Sequence, residues 1–247
     1  MILLGLTGSI AMGKSRAAER FRAFGVPVFD SDAQVHAMLS PGGAAVAPVA
    51  AAFPGCLSAL GGIDRPTLGR MVFDRPAELR RLELIVHPLV RAARDGFLRR
   101  ACRAGADLVV LDVPLLYETH GDRRVDAVAV VWASSLLQRQ RALRRPGMTP
   151  EKLARIRSEQ LPDAWKRRHA DFVIPSGHDG GVLAAHVGAI ITALRHRTPR
   201  AWPPHGSGAS SAISARDRRP SLSRSKVNQR RAEPAQSAPP CPVPAKR

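Results

Sequence analysis

Aromatic rings are scarce in this chain, with seven Phe, three Trp and one Tyr among 247 residues. A core built without rings must rest on Leu, Val, Ile and Ala, and a base-stacking platform for nucleic acid is disfavoured. Cysteines are fewer still. Cys56, Cys102 and Cys241 are far apart, with no CxxC pair and no zinc spacing, so neither a disulfide framework nor a zinc site is indicated. No apolar run approaches the roughly 20 residues of a membrane span. The apolar opening Met1–Leu6 has no basic region before it and no cleavage pattern after it, so it reads as a strand rather than a signal peptide. A reducing, cytoplasmic setting without a membrane partner is expected. The dinucleotide fingerprint G-x-G-x-x-G is also missing, which argues against a dehydrogenase. Acids are in deficit: 20 Asp/Glu face 38 Lys/Arg, for a net charge of +18. Half of that excess lies in 197–247, where eleven Lys/Arg and two acids sit among Pro, Ser and Gly. Such a composition buries too little apolar surface to offset ordering entropy, so a disordered basic tail with unspecified partners is expected there. The remaining excess suits a protein that handles polyphosphates.

What is present begins with alternating strand and helix patterns. Ile2–Leu6 is a continuous apolar run, the mark of a buried strand. Ala17, Ala18, Phe21 and Phe24 then recur at helical spacing until Gly25. Val26–Phe29 reads as a second strand, ending at Asp30-Ser31-Asp32. This opening is a βαβ unit of a parallel sheet. The stretch 35–105 is mostly helical in pattern, broken by Gly61-Gly62 and by Pro66, Pro76 and Pro88. Strands resume at Leu108–Val113 and Val125–Trp132, both rich in β-branched residues. A basic helix, Leu136–Arg145, stops at Pro146-Gly147, and Thr149 caps the next, with Pro150 at its first position. Phe172–Ile174 is a last strand and Val182–Leu194 a last amphipathic helix.

Between the first strand and first helix, Gly8-Ser9-Ile10-Ala11-Met12-Gly13-Lys14-Ser15 matches G-x-x-x-x-G-K-[ST]. Glycines let backbone N–H groups curl around phosphates, and the helix that follows presents a favourable dipole to an anion. Lys14 is expected to bridge the β- and γ-phosphates of a nucleotide and Ser15 to hold Mg²⁺. A strand before the loop and a helix after it are the context this motif requires. Asp30 and Asp32, if still extended, point to one face about 6–7 Å apart. At the carboxyl end of a parallel strand such acids can take a proton from an attacking hydroxyl or assist a metal, although either can instead cap the next helix. Asp112 ends the strand Leu108–Val113, where P-loop enzymes place a magnesium-shell carboxylate.

Taken together these segments resemble the dephospho-CoA kinase family over about Met1 to Leu194. The resemblance rests on Gly5-Leu6-Thr7-Gly8, on Val28-Phe29-Asp30-Ser31-Asp32, and on Gly62-Ile63-Asp64-Arg65 with Leu68-Gly69 and Val72-Phe73. It continues through Leu82-Glu83-Leu84-Ile85-Val86-His87-Pro88 and Leu111-Asp112-Val113-Pro114-Leu115-Leu116-Tyr117-Glu118. Gln138-Arg139-Gln140-Arg141, Arg145-Pro146-Gly147-Met148-Thr149, Gln160, Lys166 and Ala170-Asp171-Phe172-Val173-Ile174 complete it.

The resemblance implies transfer of the ATP γ-phosphoryl to the ribose 3′-hydroxyl of dephospho-CoA. It implies an α/β P-loop three-layer fold around a parallel sheet, with a nucleotide-binding core over 1–34, 106–134 and 170–196. A helical CoA-binding insertion over 35–105 and a helical lid over 135–169 go with it. Asp32 is the implied base, and Lys14 and Arg141 the groups that neutralise the transferring phosphoryl. ATP is expected along Gly8 to Ser15 with Arg16 and Arg145. Thr7, Asp32, Arg65, His87, Pro114 and Leu115 are expected on the acceptor side, and Ser15 and Asp112 around Mg²⁺. On composition alone Arg141 is equally a solvated helix face, and His87 before Pro88 a helix-break residue.

The chain departs from the family pattern at three places. Ala11 stands at a loop glycine, where its methyl is tolerable only at negative φ. Arg16 stands where Thr often follows the loop serine, and Pro175-Ser176 where an Asn-containing turn often follows the last strand. Two rival readings are another P-loop nucleotide or small-molecule kinase, and a basic ATP-dependent nucleic-acid-binding protein; no specific nucleic acid is expected.

Overall fold

Five runs of β-branched and aliphatic residues form the strands Ile2–Thr7 (β1), Val28–Asp30 (β2), Leu108–Asp112 (β3), Ala127–Trp132 (β4) and Phe172–Pro175 (β5). The computed structural model describes residues 1–202 apart from 74 and 178. All strand pairs are parallel, in the order β2-β3-β1-β4-β5. Period-two alternation assigns each side chain to a face. Ile2, Leu4, Leu6, Leu108, Val110, Ala129 and Val131 join one core with Ala17, Phe21, Leu183, Val187 and Ile191 from the helices Lys14–Ala23 (α1) and Gly180–Arg195 (α9). On the other face, Leu3, Val109 and Leu111 pack against Leu98 and Ala101 of the helix Pro76–Arg103 (α5). Val128 and Val130 meet Leu116, Tyr117 and Trp165 of the helix Asp163–His169 (α8). Helices therefore cover both faces, which is the expected three-layer α/β arrangement.

The sheet order places β1 at the centre, between β3 and β4. The loop after β1 thus opens at the middle of the sheet's carboxyl edge, where ligands of such sheets bind. Two excursions leave that edge. Between β2 and β3 lie Ser31–Leu39 (α2), Val46–Ala52 (α3), Arg65–Val72 (α4) and α5, which enclose a second core of Met38, Leu39, Val49, Phe53, Ile63, Leu68 and Val86. Between β4 and β5 lie Ser135–Leu143 (α6), Pro150–Glu159 (α7) and α8. Thr149 caps α7 as expected, its hydroxyl accepting from the Lys152 N–H at 3.2 Å. No helix among the described residues is long and apolar enough to cross a membrane.

Three local expectations are corrected. The β2 segment begins at Val28 and does not stay extended to Asp32. Asp30 instead caps α2 by accepting from the Ala33 N–H at 2.9 Å, so Asp32 stands in the first helical turn. Pro66 and Pro76 open helices, but Pro88 lies inside α5. Its ring forgoes the bond to the Leu84 carbonyl; Leu84, His87 and Pro88 are all exposed, so water can satisfy that group. Leu82, Ile85, Val86, Leu89 and Val90 pack on the second core from both sides of the proline and carry the helix through it. Finally, residues 197–202 were expected in the tail yet are tied down. Arg197 pairs with Asp171 at 3.2 Å, and the Arg200 and Ala201 N–H groups donate to Asp126 at 2.6 and 2.9 Å. The tail from residue 203 onward lies outside the described residues.

Candidate active site

The loop between β1 and α1 curls because of where its glycines stand. Gly13 has φ of 89° and caps α1, a left-handed conformation that a side chain would strain. At Gly8 a Cβ would come within 2.8 Å of the Val131 carbonyl oxygen, so only glycine lets β1 leave the sheet here. Ala11 also has positive φ, 58°, contrary to the expectation that its methyl requires a negative value. Burial explains the tolerance: the methyl packs with its neighbour Ile10 and with Ala142, Met148 and Leu153 of the α6–α7 segment.

Lys14 and Asp112 form an ion pair. Sheet register brings them together, since Leu6 of β1 and Asp30 of β2 flank Asp112 across the strand tops. Asp112 is 2% exposed, and its pKa is pushed up by burial; the Lys14 ammonium opposes this, while Asp30 and Asp32 add to it. Asp30 is the register partner of Asp112, and Asp32 follows it in the first turn of α2, solvent-exposed. Ser15 is exposed at the start of α1.

Behind the loop the contacts are dense. The Ser9 hydroxyl donates to Asp163 Oδ1 at 2.5 Å, the Ile10 N–H donates to Gln160 Oε1 at 3.1 Å, and Gln138 Nε2 donates to the Ile10 carbonyl at 2.9 Å. Lys166, fully buried, lies 3.4 Å from the Ser9 hydroxyl and 2.7 Å from Glu118. Glu118 also accepts from the Leu161 N–H at 3.0 Å. At the mouth, Arg141 forks onto Ser176, donating to its hydroxyl at 2.9 Å and its carbonyl at 2.7 Å. Burial first, and the nearby Arg16 second, lower the Arg141 pKa.

The expected acceptor side is looser. Thr7 corrects an expectation: it is fully buried and donates its hydroxyl to the Pro114 carbonyl at 3.0 Å, so it fixes the Pro114-Leu115 turn and faces no solvent. Leu115 is 41% exposed. Arg65 meets His36, one helical turn beyond Asp32 on α2. An open recess of about 600 Å³, lined by Ser58, Ile63, Asp64, Arg65 and Pro66, lies beside it. His87, on the exposed side of α5, makes no hydrogen bond or ion pair among the described residues. Arg145 is exposed beyond α6, between Ala142 and Met148, which pack on the loop residues Ile10 and Ala11.

The structure thus places Lys14, Asp112 and Asp30–Asp32 along the strand tops and Arg141 at Gly13, with His87 and Arg145 exposed on α5 and beyond α6. Sequence reading did not assign His36, Gln138, Asp163 or Ser176. Gln138 carried a signal as a polar residue on the buried side of a helix, and Ser176 as a departure from the family pattern; the others depend on contacts from distant segments.

The chain matches the profile of the dephospho-CoA kinase family over residues 2–179. It is 54% identical over 195 residues to the dephospho-CoA kinase of Mesorhizobium japonicum, covering 79% of this chain and 98% of that one. With the dephospho-CoA kinase of Paramagnetospirillum magneticum it shares 53% over 210 residues, covering 85% and 98%. A crystal structure of a Thermus thermophilus protein superposes with a TM-score of 0.68 at 30% identity, covering 78% of this chain and 96% of that one. Sequence, sheet topology and loop geometry agree, and this chain belongs to the dephospho-CoA kinase family.

Proposed function

We infer that this chain transfers the γ-phosphoryl of ATP to the ribose 3′-hydroxyl of dephospho-CoA, with Asp32 as the base. In this step the 3′-oxygen attacks the γ-phosphorus, its proton passes to the Asp32 carboxylate, and the bond to the β,γ-bridging oxygen breaks to release ADP. Little covalent chemistry is asked of the protein; its part is to position reactants and spread charge. The backbone N–H groups of Gly8–Ser15 cradle the phosphates, Lys14 neutralises the β- and γ-oxygens, and Arg141 meets the charge that builds on the transferring group. Asp32 suits the base role through its exposure and its place on the loop's own edge of the sheet. Arg65, His36 and the Pro114-Leu115 turn flank the acceptor. The α6–α8 segment serves as the lid and α2–α5 as the CoA-binding insertion. The setting is cytoplasmic.

Magnesium fits the donors available. The Ser15 hydroxyl and Asp112 carboxylate are hard oxygen ligands, and among the described residues no group of three or more His, Cys, Asp or Glu is arranged to hold a metal by itself. That sparseness matches an ion held by one or two protein groups together with phosphates and water. Magnesium would supply charge neutralisation at the β- and γ-oxygens, and a cation near Asp112 favours the ionised carboxylate that burial disfavours.

The observation that carries this reading is that Lys14 of the glycine loop pairs with Asp112, whose strand-top partner Asp30 leads directly into Asp32. ATP turnover, measured with dephospho-CoA and with nucleoside monophosphates, tests it. Dephospho-CoA should be the preferred acceptor, and Asp32→Asn should lower kcat by about 10²–10⁴-fold. An Asp32→Asn enzyme with wild-type turnover would exclude Asp32 as the base, and faster use of a nucleoside monophosphate would exclude the acceptor.

A further inference from the structure

Ser176 follows β5 directly, is 1% exposed, and has every polar group engaged. Its N–H donates to the Trp132 carbonyl at 2.8 Å, continuing the sheet ladder one step past β5. Its hydroxyl donates to the Met12 carbonyl of the phosphate loop at 2.5 Å and accepts from Arg141 Nη1 at 2.9 Å. Its carbonyl accepts from Arg141 Nη2 at 2.7 Å. One small side chain therefore joins the end of the sheet, the phosphate loop and the arginine of α6.

The same atoms set where the guanidinium lies. A Cβ built on Gly13 would meet Ser176 Oγ at 2.8 Å and Arg141 Nη1 at 3.2 Å, so the fork sits over the residue that caps α1. Left alone, a cation would avoid this place. The helix N-terminus is positive, Arg16 is close, and burial lowers the Arg141 pKa further. An arginine side chain also has much rotamer freedom to lose, and bidentate hydrogen bonding is what fixes it. Ser176 supplies both acceptors at a site built on the rigid edge of the sheet.

We propose that Ser176 is a positioning residue for phosphoryl transfer, acting through Arg141, whose guanidinium it holds over Gly13 with two hydrogen bonds. The proposal rests on the role given above to Arg141. Positioning in advance of the transition state lowers the barrier without requiring tighter binding of either substrate. Loss of the hydroxyl should therefore act on kcat rather than on KM. The Ser176 carbonyl would still accept from Nη2, so the loss should be partial.

A double-mutant cycle tests this, with Ser176→Ala, Arg141→Ala and the pair compared in kcat, in KM for both substrates and in thermal melting. Ser176→Ala should lower kcat about 10-fold, with KM for dephospho-CoA unchanged and a melting temperature close to wild type. In the Arg141→Ala background the same change should alter kcat by less than about twofold. If Ser176→Ala costs as much there as alone, Ser176 acts through the loop or the fold and the proposal is wrong. If Arg141→Ala itself turns over like wild type, the role given to Arg141 falls first and the proposal with it. Should alanine at 176 not fold, Ser176→Cys, close in volume and a weaker hydrogen-bond partner, carries the same cycle.

Discussion

The nucleotide side and the acceptor side of this enzyme are built in opposite ways. On the nucleotide side the loop from Gly8 to Met12 is largely buried and tied from behind by Gln138, Gln160, Asp163 and Ser176, which reach it from three stretches of chain. On the proposed acceptor side Asp32, His36 and Arg65 stand exposed on α2 and α4. The small core beneath them leaves Leu60 at 85% and Leu84 at 76% exposure. The contrast follows from the chemistry. Phosphate charge is stabilised by donors that do not have to reorganise, which requires a fixed frame. A large acceptor must enter and leave, and a surface with few fixed contacts allows that. Rigidity in this protein is concentrated where charge moves.

The largest predicted effect tests whether that rigidity depends on buried charge. Lys166 is fully buried against Glu118, which is 7% exposed. Removing one member of a buried ion pair strands the other, at a cost of about 3–5 kcal/mol. Lys166→Met should therefore lower stability by about that amount in chemical denaturation, and raise KM for ATP as the Ser9 end of the loop loosens. Adding Glu118→Gln should recover most of the stability, because the stranded charge is then gone. If Lys166→Met melts like wild type, the frame behind the loop owes nothing to this pair.

The acceptor side should respond differently. Arg65 is exposed and, among the described residues, bonds only the exposed His36 ring, so Arg65→Ala should leave melting unchanged. Loss of a charge-assisted contact to an anionic acceptor should raise KM for dephospho-CoA about tenfold while KM for ATP stays put. A matching rise in both constants would mean that the two sides are not separable.

Much of this division was legible in the sequence, for definite reasons. Continuous apolar runs such as Leu108–Asp112 and Ala127–Trp132 are what a sheet covered on both faces requires, and the loop motif fixes its own flanking strand and helix. Errors arose where a local rule met a tertiary constraint. Asp30-Ser31-Asp32 reads equally as extended chain or as a capping sequence, and the cap bond to Ala33 decides it. Pro88 looks like a helix stop until the second core holds the helix on both sides of it. The site showed the same limit. Lys14 and Asp112 belong to motifs with their own spacing, whereas Asp163 and Ser176 gain meaning only from partners 154 and 164 residues away.

Asp112 separates function from stability within the nucleotide side. Burial raises its pKa despite Lys14, so the native state holds the Asp112 proton more tightly than the unfolded chain does. Ionisation therefore costs stability as pH rises from the ordinary aspartate pKa through the raised one, and the cost is complete above it. Asp112→Asn removes that titration. From about pH 3.9 upward the wild type should lose melting temperature as its carboxyl ionises while the variant does not, with the unpaired Lys14 adding a separate offset to the variant. Its kcat should nonetheless fall. Parallel melting curves for the two across that pH range would mean that the Lys14 pairing cancels the burial.

The smallest effect belongs to Ala11, where strain and packing oppose each other at the heart of the rigid side. A left-handed alanine costs about 1–2 kcal/mol relative to its usual conformations, and glycine there would relieve that strain. The methyl, however, is 8% exposed and packs on Ala142 and Leu153, and deleting a buried methyl costs about 0.8 kcal/mol. Glycine also adds conformational freedom to the unfolded chain, worth about 0.4–1 kcal/mol against the variant. The terms nearly cancel, so Ala11→Gly should change stability by less than about 1 kcal/mol in either direction. Its effect should appear instead in the α6–α7 segment, which loses its apolar contact with the loop. Amide exchange in α7 should quicken while exchange in β1 and α1 stays the same. Unchanged exchange in α7 would mean that the methyl only fills space and does not couple the loop to the helices above it.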